Sequence, residues 1–283
     1  MTRSPRSIAA ISDEISRLPA GDTPDAKTPI WLRLGRLARL CVHLIRGLLI
    51  AGLRYPCLSP EQRSVEKRRW SQTLLSILAV SVREKSGTPE LPRCCMLVLN
   101  HISWLDIFVI DAILPATFVA KSEIRSWPVA GWLCTLVGTL YIERGTRAGA
   151  RAAREAIARE LGEGTLVAIC PEGTTTFGDT LERFHAALFQ PAIDAAATIQ
   201  PVALRYLDAL GRRSDAAAYV GETSFLGALW GTLSARRIVV EVTYAPQFSA
   251  AGGERRAVAE AAENAIAGAL RIPRPPTPGT RPE

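Results

Sequence analysis

Short apolar runs alternate with segments of helical periodicity from Cys94 onward. This alternation is typical of α/β domains, in which helices cover the faces of a parallel or mixed sheet. The predicted strands cover 94–99, 117–120, 139–142, 165–170, 199–205 and 237–243, and the predicted helices cover 103–114, 123–137, 147–161, 182–196 and 254–270. A chain of 283 residues is long enough for one large domain of this class with an appendage, or for two small domains.

Two further helices are predicted ahead of this domain, over about 31–55 and about 60–82. The first groups its apolar residues on one face (Leu34, Leu37, Leu40, Cys41, Leu44, Ile45, Leu48) and its basic residues on another (Arg33, Arg36, Arg39, His43, Arg46, Arg54). Residues 31–69 hold nine basic and two acidic residues, which equals the net charge of +7 of the whole chain. Such a helix is typical of proteins that lie on anionic lipid. The alternative is a helix docked on the domain with its basic face in water.

The sequence divides into four predicted segments. These are a flexible arm (1–28), an amphipathic two-helix membrane-seating motif (29–85), the main α/β domain (90–271) and a disordered Pro-rich tail (272–283). The predicted architecture is a mixed, largely parallel sheet flanked by helices and preceded by the two-helix pair. The chain opens without a signal-peptide pattern, and its six cysteines form no C-x-x-C pair, which favours reduced, buried thiols in a cytosolic compartment. The pattern of Cys and His residues predicts no metal site.

The segment Asn100-His101-Ile102-Ser103-Trp104-Leu105-Asp106 follows a predicted core strand and enters a predicted helix. A histidine at such a strand-to-helix turn lies at the sheet edge where α/β proteins place their chemistry. If His101 folds back, Asp106 can accept a hydrogen bond from one ring nitrogen and leave the other free to take a proton. The alternative is a helix capping box, in which Asp106 only binds a backbone N–H near Ser103.

Three more candidate features follow later apolar strands. Tyr141-Ile142-Glu143-Arg144 presents an arginine, whose planar fork suits phosphate or carboxylate. Cys170-Pro171-Glu172-Gly173-Thr174-Thr175-Thr176 forms a polar turn at the sheet edge that should also hold His101. Ile199-Gln200-Pro201 begins another strand. A second histidine, His185, has no acid at a comparable spacing, so a structural or substrate-lining role is expected for it.

These motifs, in this order, resemble the glycerolipid acyltransferase family typified by the 1-acylglycerol-3-phosphate acyltransferases. That family carries N-H-x4-D, then F-I-x-R, then P-E-G-T, then a proline-containing strand. The resemblance covers about residues 70–250. It implies an enzyme of phospholipid biosynthesis that moves an acyl chain from acyl carrier protein or coenzyme A to the free hydroxyl of 1-acylglycerol-3-phosphate. Beyond that co-substrate it implies no cofactor.

The resemblance also implies roles for individual residues. His101 is the general base and Asp106 orients it, while Arg144, Glu172, Gly173 and Thr174 handle the glycerol and phosphate end of the acceptor. Ser103, Lys121 and Pro201 are candidate substrate-lining residues. The expected partners are the lysolipid, the acyl thioester and an anionic membrane surface that contacts residues 31–82, with no nucleic acid. The expected location is the cytoplasmic face of the inner membrane, as a monotopic peripheral protein.

One departure from the family pattern follows P-E-G-T. The phosphatidate-forming pattern continues with Arg, whereas this chain has Thr175 and Thr176. In this respect the chain resembles the branch that acylates lyso-ornithine lipid, which stays open as the alternative acceptor. A lipid hydrolase and a non-catalytic membrane-binding protein are more distant alternatives. Two further expectations are that backbone N–H groups near Ser103 bind the oxyanion and that 104–114 and 126–140 line an acyl tunnel.

Overall fold

The computed structural model describes residues 28–126, 130–142 and 147–273. The predicted flexible arm and the end of the Pro-rich tail therefore lie outside the described residues, apart from Thr28 and residues 272–273. Arg144 lies outside them as well.

The N-terminal helical pair consists of α1 (Ile30–Leu49) and α2 (Pro60–Ile77). A π-helical turn (Ile50–Arg54) and a 3-10 turn (Tyr55–Cys57) continue α1 toward α2. Ser59 caps α2 in a reciprocal arrangement with Gln62, as its Ser-Pro-Glu-Gln start favours. The two helices pack together, which confirms the predicted pair. Among the described residues, none of the helices is both long and apolar enough to cross a membrane.

The second helix ends earlier than predicted. It stops at Ile77 instead of about residue 82, and Ala79 adopts a left-handed conformation with φ of 56°. Val80–Glu84 then forms the first strand, β1, of the main sheet. The alternating Val80-Ser81-Val82 suits a strand better than a helix because β-branched residues favour the pleated sheet.

Eight strands form one sheet within the described residues. After β1 they are β2 (Cys95–Leu99), β3 (Thr117–Lys121), β4 (Leu140–Ile142), β5 (Val167–Ile169), β6 (Thr198–Leu207), β7 (Ile238–Tyr244) and β8 (Phe248–Ser249). The order is β1-β7-β6-β2-β5-β3-β4, and β8 pairs with β6. The pairs β6–β7 and β6–β8 are antiparallel and all others are parallel. The predicted mixed, largely parallel sheet is confirmed.

The helices between the strands are α3 (Asp106–Asp111), α4 (Ala130–Leu136), α5 (Arg147–Glu163), α6 (Gln190–Asp194), α7 (Phe225–Ser234) and α8 (Arg255–Leu270). The helix predicted over 103–114 is thus much shorter. Those predicted over 123–137 and 182–196 each divide into a 3-10 segment and a short α-helix. The sequence analysis did not predict β1, β8 or α7.

The sheet separates two apolar cores. One contains residues of α1, α2, α3 and α7, and the other contains residues of α5, α6 and α8. Cys95 is buried, but Cys41 and Cys57 are exposed, so the expectation that the thiols are buried is wrong for these two. The parallel strands β2, β5 and β6 end at the same edge of the sheet, and this edge holds His101.

Candidate active site

His101 lies just beyond the end of β2, where Asn100 fixes the chain. The buried Asn100 amide donates to Leu204 O at 3.1 Å and accepts from Leu204 N at 2.7 Å, which ties the end of β2 to β6. The His101 ring then turns back toward α3, and its Nδ1 pairs with Asp106 Oδ2 at 2.8 Å. About a quarter of the His101 side chain (26%) is exposed, whereas Asp106 is fully buried. The contact predicted between these two residues is present.

Asp106 accepts three more hydrogen bonds. Its Oδ2 also accepts from Ile102 N at 2.8 Å and from Ser103 N at 3.0 Å, and its Oδ1 accepts from Tyr206 Oη at 2.7 Å. The two sequence interpretations therefore hold together, since the same carboxylate binds backbone N–H groups and orients the histidine. A fully buried carboxylate needs donors of this number to replace lost hydration.

The ring of His101 is set up to act as a base. Burial lowers the pKa of His101, but the neighbouring Cys170 and Asp106 side chains outweigh this effect, so that the pKa lies well above its ordinary value. Because the carboxylate accepts from Nδ1, that nitrogen carries the proton in the neutral ring. The lone pair is then on Nε2, the nitrogen that can take a proton from a substrate.

The Pro171–Thr176 turn fixes the His101 backbone from both sides. Glu172 Oε1 accepts from His101 N at 2.6 Å, and Thr176 N donates to His101 O at 2.8 Å. The second Glu172 oxygen accepts from Glu182 N at 2.8 Å. Gly173 makes the turn possible because its φ of 69° lies in the left-handed region. The geometry thus favours a positioning role for Glu172 over the predicted contact with the acceptor.

The environment of Glu172 also shifts its ionisation. Burial raises its pKa to about 7, although the N–H groups of Glu182 and His101 oppose the shift. The carboxylate is only 3% exposed. Its charge is therefore tolerated through these two hydrogen bonds rather than through contact with water.

The remaining predicted site residues divide by exposure. Gly173 is partly exposed, and Thr174 and Lys121 are exposed, the latter at the end of β3. Ser103 and Pro201 are buried, and their predicted substrate-lining role stays a prediction. Pro201 O accepts from Ala245 N within the sheet. His185 is exposed, and its backbone N–H donates to Pro171 O at 2.9 Å.

Most of the N–H groups expected to bind the oxyanion near Ser103 already have partners. The N–H groups of Ile102 and Ser103 already bind Asp106, and Leu105 N donates to Ser103 Oγ at 3.2 Å. The Ser103 hydroxyl itself donates to Ala217 O at 2.5 Å and has no exposed surface. These groups stabilise the turn, and Ser103 is not placed to act as a nucleophile.

An apolar cavity of about 560 Å³ lies between the end of α1 and α4. It is lined by Leu48, Leu49, Gly52, Leu53 and Trp132. Trp132 belongs to the segment 126–140 that was predicted to line an acyl tunnel. Residues 104–114 do not line this cavity, so the tunnel stays a prediction.

Tyr206 is the site residue that the sequence analysis missed. The predicted strand ended at residue 205, whereas β6 continues to Leu207. Burial and the nearby Asp106 carboxylate raise the pKa of Tyr206, so its hydroxyl stays a donor. The signal was the alternation along β6, because Val202, Leu204 and Tyr206 share the face that packs on α3.

Comparisons with known proteins agree with this geometry. A family model described as Acyltransferase matches residues 80–205. The chain is 36% identical to a 1-acyl-sn-glycerol-3-phosphate acyltransferase of Neisseria meningitidis, over 81% of this chain and 89% of the relative. It is also 36% identical to a lyso-ornithine lipid O-acyltransferase of Pseudomonas aeruginosa, over 72% and 77% respectively. The crystal structure of PlsC, the 1-acyl-sn-glycerophosphate acyltransferase of Thermotoga maritima, shares the fold with a TM-score of 0.57 and 16% identity, over 83% of this chain and 96% of that one.

Proposed function

This chain belongs to the acyltransferase family that includes the 1-acyl-sn-glycerol-3-phosphate acyltransferases, and we propose that it acylates the free hydroxyl of 1-acylglycerol-3-phosphate. The membership confirms the resemblance predicted from the motifs. The observation that carries the proposal is the His101–Asp106 contact of 2.8 Å at the edge of the sheet. This pair supplies a general base for a hydroxyl nucleophile.

The reaction is a direct transfer. His101 Nε2 takes the proton of the acceptor hydroxyl while the hydroxyl oxygen forms a bond to the carbonyl carbon of the thioester. The C–S bond breaks, and the imidazolium returns the proton to the departing thiolate. Asp106 holds the ring and stabilises the imidazolium, as the acid of a Ser-His-Asp triad does. General-base help of this kind contributes about 10²–10⁴-fold to the rate.

The acyl donor in this proposal is a thioester of acyl carrier protein or coenzyme A, with no further cofactor. A thiolate leaves readily, so the task of the protein is mainly to position the two substrates and move one proton. Within the described residues, no group of three or more His, Cys, Asp and Glu side chains could hold a metal ion. Every step above uses only residues of this chain.

Lyso-ornithine lipid is the second candidate acceptor. It is favoured by Thr175, which stands where the phosphatidate-forming pattern has Arg. The Thr175 hydroxyl donates to Tyr219 O, so this position supplies a structural hydrogen bond and not a phosphate-binding cation. The similarity to a lyso-ornithine lipid O-acyltransferase supports the same candidate.

The protein is proposed to act on the cytoplasmic face of the inner membrane, as a monotopic peripheral enzyme. Support comes from α1 and the π-helical turn after it, whose outer side exposes the apolar residues Trp31, Leu34, Val42, Ile45, Leu49 and Leu53, here called the membrane-facing stripe. The apolar face predicted for α1 is thus divided between two surroundings: Leu40 is buried against the domain, whereas Leu34 and Ile45 are exposed. Each basic residue near an anionic bilayer adds roughly 1 kcal/mol, so the flanking arginines strengthen the contact.

The experiment is acyl transfer by the purified protein in detergent, with labelled donor and a panel of lysolipids, beside His101→Ala. We expect the variant to lose at least about 10²-fold in activity and to retain its fold, because the base is removed from a partly exposed position. A fully active His101→Ala protein would overturn the mechanism. Release of free fatty acid without an acceptor would indicate a hydrolase, and preference for lyso-ornithine lipid would select the second acceptor.

A further inference from the structure

A small polar cavity of about 150 Å³ lies between α1 and α2, away from His101. Three arginines line it: Arg46 and Arg54 from the α1 side and Arg69 from α2. All three arginines are exposed to solvent. Neither the acyl-transfer mechanism nor the packing of the helices uses them.

These guanidinium groups form no hydrogen bond or ion pair with any described residue. Glu66, partly buried, is the one acidic residue in the lining, so the cavity keeps a charge of about +2. Like charges that converge without partners repel one another, and a bound anion relieves that repulsion. Arginine forks match the oxygens of a phosphate group in particular.

The back wall of the cavity is fixed. His43 is buried and stacks on Trp70, with ring centroids 4.6 Å apart and an angle of 21° between the planes. His43 Nε2 also contacts Trp70 O at 3.0 Å. The wall therefore holds its shape without a ligand, and binding requires only that the arginine side chains settle around the anion.

The cavity opens beside the membrane-facing stripe. Arg46 follows Val42 by four residues and precedes Leu49 by three, so the three side chains are neighbours on the surface of α1. Val42 and Leu49 are 67% and 57% exposed. When the stripe enters the apolar layer of a bilayer, the arginines next to it reach the depth of the lipid headgroups.

We propose that the cavity formed by Arg46, Arg54 and Arg69 binds the phosphate group of an anionic phospholipid and so fixes how the enzyme sits on the membrane. This inference rests on the proposed membrane association. Because β1 follows α2 almost directly, a headgroup held here also fixes the orientation of the sheet edge that carries His101. Neither His101 nor Asp106 lines this cavity, so a lipid bound here is not the one that is acylated.

The test compares two double variants of the full chain for binding to vesicles that contain phosphatidylglycerol. Arg46→Gln/Arg69→Gln removes one charge from each helix inside the cavity. Arg39→Gln/Arg68→Gln removes one exposed charge from each helix outside it. If the arginines act only by diffuse electrostatic attraction, each contributes about fivefold to the affinity for the vesicles, so that both variants would bind roughly 25-fold more weakly. The proposal requires the cavity variant to bind about tenfold more weakly than the control variant. Equal losses of affinity would overturn it.

A charge-conserving variant sharpens the comparison. Arg46→Lys/Arg69→Lys keeps the net charge but removes the planar fork that binds two phosphate oxygens. We expect about a fivefold to tenfold loss of binding to phosphatidylglycerol vesicles. Wild-type affinity in this variant would contradict a specific phosphate site.

Two further experiments complete the test. One identifies the source of the phosphate, and the other separates this inference from the proposed reaction. Inorganic phosphate, compared with chloride at equal ionic strength, tests binding of the free ion through the unfolding temperature. Suppose that phosphate raises the unfolding temperature of the wild type but not that of Arg46→Gln/Arg69→Gln, while the two double variants bind vesicles equally. This result would overturn the assignment to a lipid. His101→Ala should bind vesicles like the wild type, because binding needs no turnover.

Discussion

At the scale of single residues, Asp106 organises the chemistry. One buried carboxylate accepts from the His101 ring, two backbone N–H groups and the Tyr206 hydroxyl. Each donor removes a way for the carboxylate to turn, so the imidazole has one resting orientation. The Glu172 turn adds a second restraint by binding the His101 backbone. Reactivity therefore depends on several residues that never meet the substrate.

Asp106→Asn should change both the rate and its pH dependence. The carboxylate contributes to the raised pKa of His101, so its loss lowers that pKa. Since the base works only when neutral, the acid limb of the pH–kcat/KM profile should move to lower pH. The rate on the plateau should fall by about 10²–10⁴-fold, because the amide no longer stabilises the imidazolium. An acid limb that stays in place would show that another group titrates there.

Tyr206→Phe should cost stability as well as activity. The change removes a buried hydrogen bond to a charged group, with an expected loss of about 1–3 kcal/mol in the free energy of unfolding. Urea denaturation measures this loss. Tyr244→Phe is the matched control, since its hydroxyl binds the exposed Glu84 at 3.1 Å and should contribute little. Equal effects of the two changes would contradict the role of burial.

At the scale of elements, the packing of α1 on α2 depends on one glycine. A Cβ atom placed on Gly47 would lie 2.5 Å from Trp70 Nε1, so the indole ring packs directly on the backbone of Gly47. Trp70 also forms the wall of the arginine cavity. A small residue on one helix thus determines where an aromatic ring on the other can lie.

Gly47→Ala should therefore destabilise the protein by about 1–3 kcal/mol through overpacking, although alanine favours helix. Gly35→Ala, in the same helix, provides the control because nothing lies within 4 Å of its added Cβ. That control should raise the free energy of unfolding by up to about 1 kcal/mol. Urea denaturation of both variants measures the difference, and two changes of the same sign would show that Trp70 moves aside freely.

The elements that were predicted and those that were missed differ in local signal. The six strands predicted between residues 94 and 243 stand out because each is a compact apolar run, and the His101–Asp106 contact followed from a short spacing. Val80–Glu84 continues the apolar periodicity of α2, so only its pairing with β7 reveals a strand. Glu172 was predicted at the correct sheet edge, and alternation along β6 indicates the face of Tyr206. Their contacts with His101 and Asp106 join different strands, and no local pattern encodes which atoms meet.

At the scale of the whole molecule, distant parts of the chain form one surface. The helix α7 packs beside α1, where Arg36 donates to Leu233 O and Ala235 O and so caps the end of α7. The Arg33 guanidinium lies 5.7 Å from the centre of the Trp230 ring. Leu226 is 73% exposed on α7. Exposed apolar residues therefore lie on both α1 and α7, two helices that are in contact.

Leu226→Asp should weaken binding to anionic vesicles by about tenfold or more, because it replaces an apolar contact with a repelled charge. Ala261→Asp adds the same charge at an exposed position of α8, across the sheet from α1 and α7, and should have little effect. Co-sedimentation with vesicles compares the two variants. If both lose binding equally, net charge and not this surface is responsible.

The pairing of β1 with β7 has a practical consequence for anyone who wishes to separate the α/β domain from its N-terminal helical pair. Strand β7 has β6 on one side and Val80–Glu84 on the other. A fragment that starts after Glu84 leaves Ile238, Val240 and Val242 on a bare edge, and such edges recruit strands from other molecules. A fragment that starts at about residue 79 keeps this edge covered. Both fragments lose the core residues of α1 and α2, so the two cuts differ in whether the β7 edge is open to strands of other molecules.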